Sequence, residues 1–471
     1  MSRPERSRGS EREQELEREI QRLGEENERL KQQIQRLEKQ LEEALREAKR
    51  QAAPHSRGEP NPNPKPPGRK PGAAYGRHAC RPVPRRVDEQ IAVPVPEQCQ
   101  HCGGTVAFQR TEAQYQEEIV RRTLVRRFDI QIGQCQRCGR PIQGRHPLQT
   151  SDALGAAAVQ LGPEALTLAG LMNKQMGLSL GHTTQVLQQG FGLTVSRSGI
   201  CRALARMADK AAPTYEGLIL TARQSLVNIL DETGWRVEAR LQWMHVAVSE
   251  LVTVYAILPG RGFPQLSWIV GPDYEGFLGH DGWAPYYKFR SEKAFHQSCL
   301  NHLISRCKGL VEILSPPAAR FPLAVKSLLQ RALALRDRYA AAEISRHGLR
   351  TVTGRLEAEL DRLLQKDYRC PANVRLANHL EHERPWLFSF LHCPGLDATN
   401  HQAERAIRGF VIARKVWGGN RSWNGARTQQ ILGSVLRTCW QQGKDAFPRI
   451  VALLHSPTPQ ILDIVPTSQP P

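Results

Sequence analysis

The feature that most restricts the fold of this chain is an apolar stretch that ends on acidic residues. Residues 225–235 read Ser-Leu-Val-Asn-Ile-Leu-Asp-Glu-Thr-Gly-Trp, so a run rich in Val, Ile and Leu leads into Asp231. Such a run, closed by a polar turn at Gly234, predicts a buried strand that stops at Asp231. Ligands bind beyond the carboxyl ends of strands in α/β sheets, which makes Asp231 a candidate functional residue.

Two further carboxylates stand at comparable places in the pattern. A second short apolar stretch ends at Asp281, and Glu404 lies in a helical pattern over residues 400–408. Between the first two acids we expect two strands joined tightly at residues 249–250, then a helix over 264–270. This order of elements is typical of a ribonuclease-H-like α/β domain.

Three carboxylates brought together from distant positions repel one another unless a cation lies between them. A pair of Mg²⁺ ions about 3.5–4 Å apart suits hard oxygen ligands and phosphodiester chemistry. The sequence therefore predicts Asp231, Asp281 and Glu404 as catalytic ligands of two Mg²⁺ ions, with Mn²⁺ as a substitute. Each acid taken singly is more simply a solvated carboxylate, and only the joint pattern favours catalysis.

The charge balance predicts a polyanionic partner. Lys and Arg number 65 against 46 Asp and Glu, a net charge of +19, and the basic residues cluster. No stretch approaches the roughly 18 apolar residues of a membrane span, and the first residues lack the apolar core of a secretory signal. We expect a protein of the reducing cytoplasm with no membrane partner, in which cysteine pairs indicate metal rather than disulfides.

The first ninety residues contain two segments with different patterns. Residues 11–50 carry apolar residues at heptad spacing with Asn27 at one core position, which predicts a parallel two-stranded coiled coil; the alternative is a single solvated helix. Residues 51–90 are rich in Pro, Gly, Arg and Lys. We expect a basic arm that lies along phosphates, with Arg69 and Lys70 in contact with DNA, or else a plain linker.

Two Cys-x-x-Cys-Gly turns predict a zinc ribbon over residues 91–150, with residues 117–134 supplying strands between them. Each turn offers two thiolates, and the glycine permits a tight bend. We expect one structural Zn²⁺ in a closed four-thiolate site; a redox dithiol and ligation by His101 are the alternatives. The four predicted ligands are Cys99, Cys102, Cys135 and Cys138.

Residues 153–215 predict two helices around a glycine turn, the second capped by Thr194 or Ser196. This segment is either a helix-turn-helix that presents Arg197 and Arg202 to DNA or an ordinary helical hairpin.

The remaining boundaries divide the catalytic core in two. We expect the first part of the core at 222–305, a helical insertion at 306–395 that grips DNA ends or merely fills space, the second part at 396–445, and a tail at 446–471.

Several motifs together resemble the insertion-sequence-66 family of bacterial transposases. They are Leu-Asp-Glu-Thr-Gly-Trp at 230–235, Gly-His-Asp-Gly-Trp-Ala-Pro-Tyr at 279–286, Cys-Leu-Asn-His-Leu at 299–303 and the block 398–421, which begins Ala-Thr-Asn-His-Gln-Ala-Glu-Arg. The similarity covers nearly the whole chain and implies that the family's acidic triad is Asp231, Asp281 and Glu404. His401 stands where the family pattern has a second Asn, and the usual small residue before His302 is missing.

The resemblance implies a DDE-type transposase that cleaves transposon ends and transfers the strands into target DNA. The predicted coiled coil indicates a homodimer or higher oligomer. The resemblance implies a bacterial nucleoid location and an active-site shell containing Cys299 and His302, and it leaves open whether accessory proteins of the element take part. A DNA-binding protein with an inactive site and a nuclease without strand transfer are the alternatives. Six basic residues are predicted to neutralise phosphates, against the alternative of a solvated basic helix face: Arg405, Arg408, Arg414, Lys415, Arg421 and Arg427.

Overall fold

A computed structural model describes residues 18–34, 81–120, 122–155, 159–289, 295–393 and 395–466 of the chain. The chain divides into two units, Met1–Ile119 and Val120–Pro471, and the boundary falls between the two cysteine pairs. Within the described ranges, no helix is both long and apolar enough to cross a membrane.

The first unit contains helix α1 (18–34), whose residues are all exposed. Its apolar residues at the predicted heptad positions, Ile20, Leu23, Leu30 and Ile34, are each more than half exposed. The helix agrees with the predicted heptads, whereas pairing with a second chain stays a prediction. The rest of the predicted coiled coil, and the arm with Arg69 and Lys70, lie outside the described residues.

The second unit includes an antiparallel ribbon, β1 (Ile132–Gln134) and β2 (Pro141–Gln143), that flanks the second cysteine pair. Of the strands expected within 117–134, β1 forms at the end of the range, whereas the described residues from 117 to 131 form none. Nearly all of those residues are exposed, so little burial supports a strand there.

A five-stranded mixed sheet forms the centre of the second unit, in the order β5-β4-β3-β6-β7. Strands β3, β4 and β5 form an antiparallel meander. Strand β6 lies between β3 and β7 and is parallel to both. The predicted hairpin is confirmed. The strands are β3 (Val227–Val237), β4 (Arg240–Val248), β5 (Thr253–Leu258), β6 (Phe277–His280) and β7 (Phe295–Ser298).

The sequence predicted that strand β3 stops at Asp231, but the strand continues through Gly234 to Val237. Trp235 and Val237 are fully buried in the core, and this burial keeps the strand extended beyond the acids. The chain turns instead at residues 238–239, which adopt positive φ angles of 53° and 62°. Asp231 therefore lies in the middle of a long strand, at the level where its parallel neighbour ends.

Helices cover both faces of the sheet and bury two apolar cores. One core contains residues of α4 (Arg197–Gln224), α5 (Phe263–Val270) and α11 (Trp423–Gln441). The other contains residues of α6 (Leu300–Ile313) and α10 (His401–Trp417). Because successive strand residues point to opposite faces, neighbouring residues of β3 can reach different cores.

The predicted helical pair around a glycine turn is confirmed as α3 (Leu180–Phe191) and α4, with Gly192 between them at a φ of 69°. Ser196 caps α4 by accepting a hydrogen bond from the Gly199 amide. Helix α4 runs past the predicted boundary at 215, and the Tyr215 hydroxyl donates to the Tyr255 carbonyl of β5 over 2.8 Å. Part of this helix thus belongs to the central core, and DNA reading by it stays a prediction.

Of the described residues within 306–395, those from 306 to 383 form helices joined by short connections, as predicted, whereas 384–393 are mostly turns. Helix α6 leads into α7 (Pro316–Ala340), α8 (Arg346–Leu364) and α9 (Pro371–Glu383), which precede α10. Among the described residues, the remaining α-helices of the second unit are α2 (Pro163–Gly170), continued by a π-helical turn over Leu171–Gln175, and α12 (Ala446–His455).

Candidate active site

The first two predicted acids lie at the same level on adjacent parallel strands. The register pairs Ile229 of β3 with Gly279 of β6, so Asp231 and Asp281 each follow a paired residue by two positions. Gly279 permits this approach, because a Cβ atom there would lie 2.6 Å from the Cδ1 atom of Ile229. Asp281 is exposed just beyond the end of β6 and accepts a hydrogen bond of 2.9 Å from the Trp283 amide.

The third predicted acid, Glu404, lies in the first turn of α10, whose buried side includes Ala403 and Ile407. Glu404 is thereby left half-exposed beside the sheet. It lines a cleft of about 370 Å³ together with Asp231. The remaining residues that line this cleft are Glu232, Thr233, His401, Arg405, Ile407, Arg408 and Val411.

The negative charges of the neighbouring acids contribute to the pKa of Asp231. The pKa of Asp231 is raised to about 8, mainly by burial and in part by the negative charges of Glu232, Asp281 and Glu404, while a hydrogen bond from the Glu232 amide opposes the rise. Burial and nearby negative charge both disfavour the ionised form of a carboxyl group, and together they produce this shift.

The donor chemistry of the acids fits Mg²⁺, since carboxylate oxygens are the hard ligands that this ion prefers. A divalent ion would also compensate the repulsion that raises the pKa of Asp231. Among the residues that the structure describes, no group of three or more His, Cys, Asp or Glu side chains is arranged to hold a metal ion.

Sequence reasoning assigned no role to Glu232, whose side chain is almost fully buried. The Tyr286 hydroxyl donates a 2.5 Å hydrogen bond to its carboxylate, and the Arg261 guanidinium lies 3.9 Å away. Burial raises the pKa of Glu232 to about 7. The only sequence signals were its position next to Asp231 and the presence of Tyr286 at the end of the 279–286 motif.

The predicted shell residue His302 lies next to the third acid. Its Nε2 atom is 3.7 Å from Glu404 Oε1, and both side chains are about half exposed. A hydrogen bond with Cys299 raises the pKa of His302 to about 9, opposed by burial and helped by the charges of Glu404 and Asp281. Cys299 itself is buried at the start of α6. A protonated imidazole therefore lies beside the cleft at neutral pH.

The described basic residues that were predicted to contact DNA have three kinds of surroundings. Arg405 and Arg408 line the cleft, and five others are exposed elsewhere: Arg197, Arg202, Lys415, Arg421 and Arg427. Arg414 instead donates to the Thr233 hydroxyl over 3.0 Å and to the Gly234 carbonyl, so it joins α10 to β3. Contact with DNA stays a prediction for all of them.

The predicted zinc ligands lie in two turns of the same construction, one in each unit. In the first, the Gly103 amide donates to the Cys99 carbonyl over 2.8 Å, and in the second the Gly139 amide donates to the Cys135 carbonyl over 2.8 Å. Both glycines have positive φ angles, of 74° and 70°. Hydrogen bonds from nearby backbone amides lower the pKa of the Cys99 and Cys135 thiols, which favours thiolates.

A five-stranded mixed sheet flanked by many helices is consistent with the catalytic domain of a transposase. The family model described as "Transposase IS66 family" matches residues 159–428, more than half of the 471 residues, and the chain belongs to this family. It is thus a nucleic-acid-processing enzyme of transposition, and its family implies binding to the DNA of transposon ends. No curated protein matches the chain.

Proposed function

We propose that this chain is a DDE transposase that cleaves transposon ends and transfers the strands into target DNA, with Mg²⁺ as cofactor. The observation that carries the proposal is the shared cleft of Asp231 and Glu404, beside a strand end that bears Asp281. The strand order, with three antiparallel strands followed by two parallel ones, supports assignment to the ribonuclease-H-like class.

Asp231, Asp281 and Glu404 would hold the two metal ions, and Mg²⁺ would activate the attacking oxygen and stabilise the leaving one. The cleft residues Arg405 and Arg408 would bind the phosphates on either side of the scissile bond, because a guanidinium fork matches phosphate geometry. His302 in its cationic form would hold the carboxylate of Glu404 in place.

The first unit and the cysteine turns would organise the assembly on DNA. We propose that α1 belongs to a coiled coil that pairs protomers, so that two ends are processed together, and that the four cysteines bind one structural Zn²⁺. Support comes from the exposed apolar side of α1 and from the lowered pKa of Cys99 and Cys135. The basic arm with Arg69 and Lys70 would add affinity that falls with salt.

The test is a cleavage and strand-transfer assay on DNA that carries the element's ends, with Mg²⁺ or Mn²⁺ added. The Asp231→Asn variant should lose at least about 10³-fold in rate, because a metal supplies several kcal/mol of stabilisation in the transition state. The control is Asp273→Asn, an exposed acid in the loop before β6, which should keep wild-type activity.

Activity that survives Asp231→Asn would remove this residue from the mechanism. A wild-type protein that binds the ends but never cleaves them would favour a DNA-binding protein with an inactive site. Cleavage without any joined product would favour a nuclease.

A further inference from the structure

A fully buried carboxylate at the end of the helical segment has no part in the proposed triad. Glu383 is the last residue of α9, and its side chain has no exposed surface. One of its oxygens accepts a hydrogen bond from the Tyr287 hydroxyl and the other from the Ser298 hydroxyl. These two hydroxyls also lie 2.8 Å from each other, so the three side chains form a closed network.

This network lies directly against the backbone that carries the second acid. Gly282 follows Asp281, and a Cβ atom at Gly282 would lie 3.7 Å from the Glu383 Oε1 atom and 3.7 Å from the Ser298 Oγ atom. The positive φ angle of Gly282, 89°, turns the chain at this point. The Gly282 amide donates to His280 over 3.0 Å, which fixes the turn from its other side.

Among the residues that the structure describes, two hydroxyl groups donate hydrogen bonds to the carboxylate. His379 Nε2 lies 3.8 Å from Glu383 Oε1, but burial lowers the pKa of His379 to about 4, so this imidazole is neutral at neutral pH. Burial raises the pKa of Glu383, and the hydrogen bonds from Ser298 and Tyr287 oppose that rise. The network therefore depends on the geometry of two hydrogen bonds.

Aromatic side chains hold the Tyr287 hydroxyl in place. The Tyr287 ring lies edge-on to His382 at 4.4 Å and stacks near Trp386 at 6.1 Å, and both of these residues belong to the helical segment. His296 of β7 contacts the same ring at 5.3 Å. The contacts thus join the helical segment to the loop after β6 and to β7.

A segment that only filled space would not need this arrangement, because an apolar group of similar size is often as stable or more stable than a buried charge. Buried polar networks that are fully satisfied fix one geometry instead. We propose that Glu383 is a positioning residue that ties the helical segment to the Asp281 turn and so holds the Asp281 carboxylate where it binds metal. This inference rests on the proposed function.

The experiment compares Glu383→Ala, Glu383→Gln and the wild type by two readouts. Mn²⁺ binding is titrated by electron paramagnetic resonance without DNA, and kcat and KM are measured on end-containing DNA. Glu383→Ala should weaken Mn²⁺ binding by about 10–100-fold, the usual effect of losing a residue that orients a metal ligand. It should lower kcat with little change in KM, since the DNA contacts remain.

Two variants make the result specific. Glu383→Gln keeps the shape and an accepting oxygen, so it should recover most of the Mn²⁺ affinity and of kcat. Glu381→Ala removes an exposed carboxylate from the same helix and should match the wild type in both measurements. Thermal unfolding followed by circular dichroism identifies any variant that fails to fold.

Mn²⁺ affinity and kcat within about twofold of wild type in folded Glu383→Ala would overturn the inference while leaving the proposed function intact. If that variant does not fold, Tyr287→Phe decides the matter, because it removes one hydroxyl and keeps the ring contacts. Unchanged Mn²⁺ affinity in Tyr287→Phe would then overturn the inference. A wild-type protein that neither binds Mn²⁺ nor cleaves would overturn the proposed function, and the inference with it.

Discussion

The cysteine turns and the acidic cleft are built in opposite ways. Each Cys-x-x-Cys turn is local, exposed and shaped by amides and a glycine within a few residues, and these amides lower the pKa of Cys99 and Cys135. The cleft combines β3 with α10 from far along the chain, and burial raises the pKa of Asp231. Local backbone amides make the two thiols easier to ionise, whereas burial in the tertiary structure makes the carboxylate of Asp231 harder to ionise.

The largest effect expected from this comparison concerns zinc. Structural Zn²⁺ contributes an apparent free energy of about 10–16 kcal/mol in small zinc modules, so Cys135→Ser or a chelator should unfold the ribbon. The acidic cleft should remain folded, because its core does not include the cysteine turns. Calorimetry of Cys135→Ser should show loss of the unfolding transition of the ribbon only. The control Cys201→Ser, which changes an exposed cysteine of α4, should keep the transitions of the ribbon and of the cleft. If the ribbon and the cleft unfold together in a single transition that Cys135→Ser abolishes, their independent folding would be contradicted.

A smaller effect concerns the metal-free stability of the cleft. Since the folded pKa of Asp231 is about 8, above the value near 3.9 of an unfolded aspartate, the folded state binds more protons over this interval. The contribution of Asp231 to the free energy of unfolding is therefore largest below about pH 4 and falls as the pH rises to about 8. Asp231→Asn should flatten this fall in Tm measured without metal, and Mg²⁺ should raise the Tm of the wild type only. An equal Mg²⁺ shift in both proteins would contradict the predicted metal site.

The smallest effect concerns His302, which is half-exposed and therefore screened by solvent. Because its folded pKa of about 9 exceeds the ordinary value, its contribution is full below about pH 6.5 and is lost as pH rises through about 9. In urea unfolding, His302→Ala should lower the free energy of unfolding by no more than about 1 kcal/mol at pH 7 and should leave it unchanged at pH 10. His347→Ala, at an exposed position of α8, is the control and should change neither. An equal loss at both pH values would indicate packing instead of charge.

Much of the core was predictable because its patterns are local. The hairpin of β4 and β5, helix α5 and the helices of residues 306–395 follow from runs of apolar residues and their spacing. The end of β3 was not predictable, because Gly234 resembles a turn until Trp235 and Val237 are seen to be buried. Arg414 likewise matched a phosphate contact in sequence, whereas the structure turns it onto the backbone of β3.

The sequence by itself determined the residues that identify the family and the glycine that bends each cysteine turn, since these depend on residue type and short spacing. Only the tertiary structure decided that Asp231 shares a cleft with Glu404, that Glu232 is buried under Tyr286, and that Glu383 lies against the Asp281 turn. The physical reason is that burial and repulsion depend on which distant segments pack together, and no short stretch of sequence contains that information.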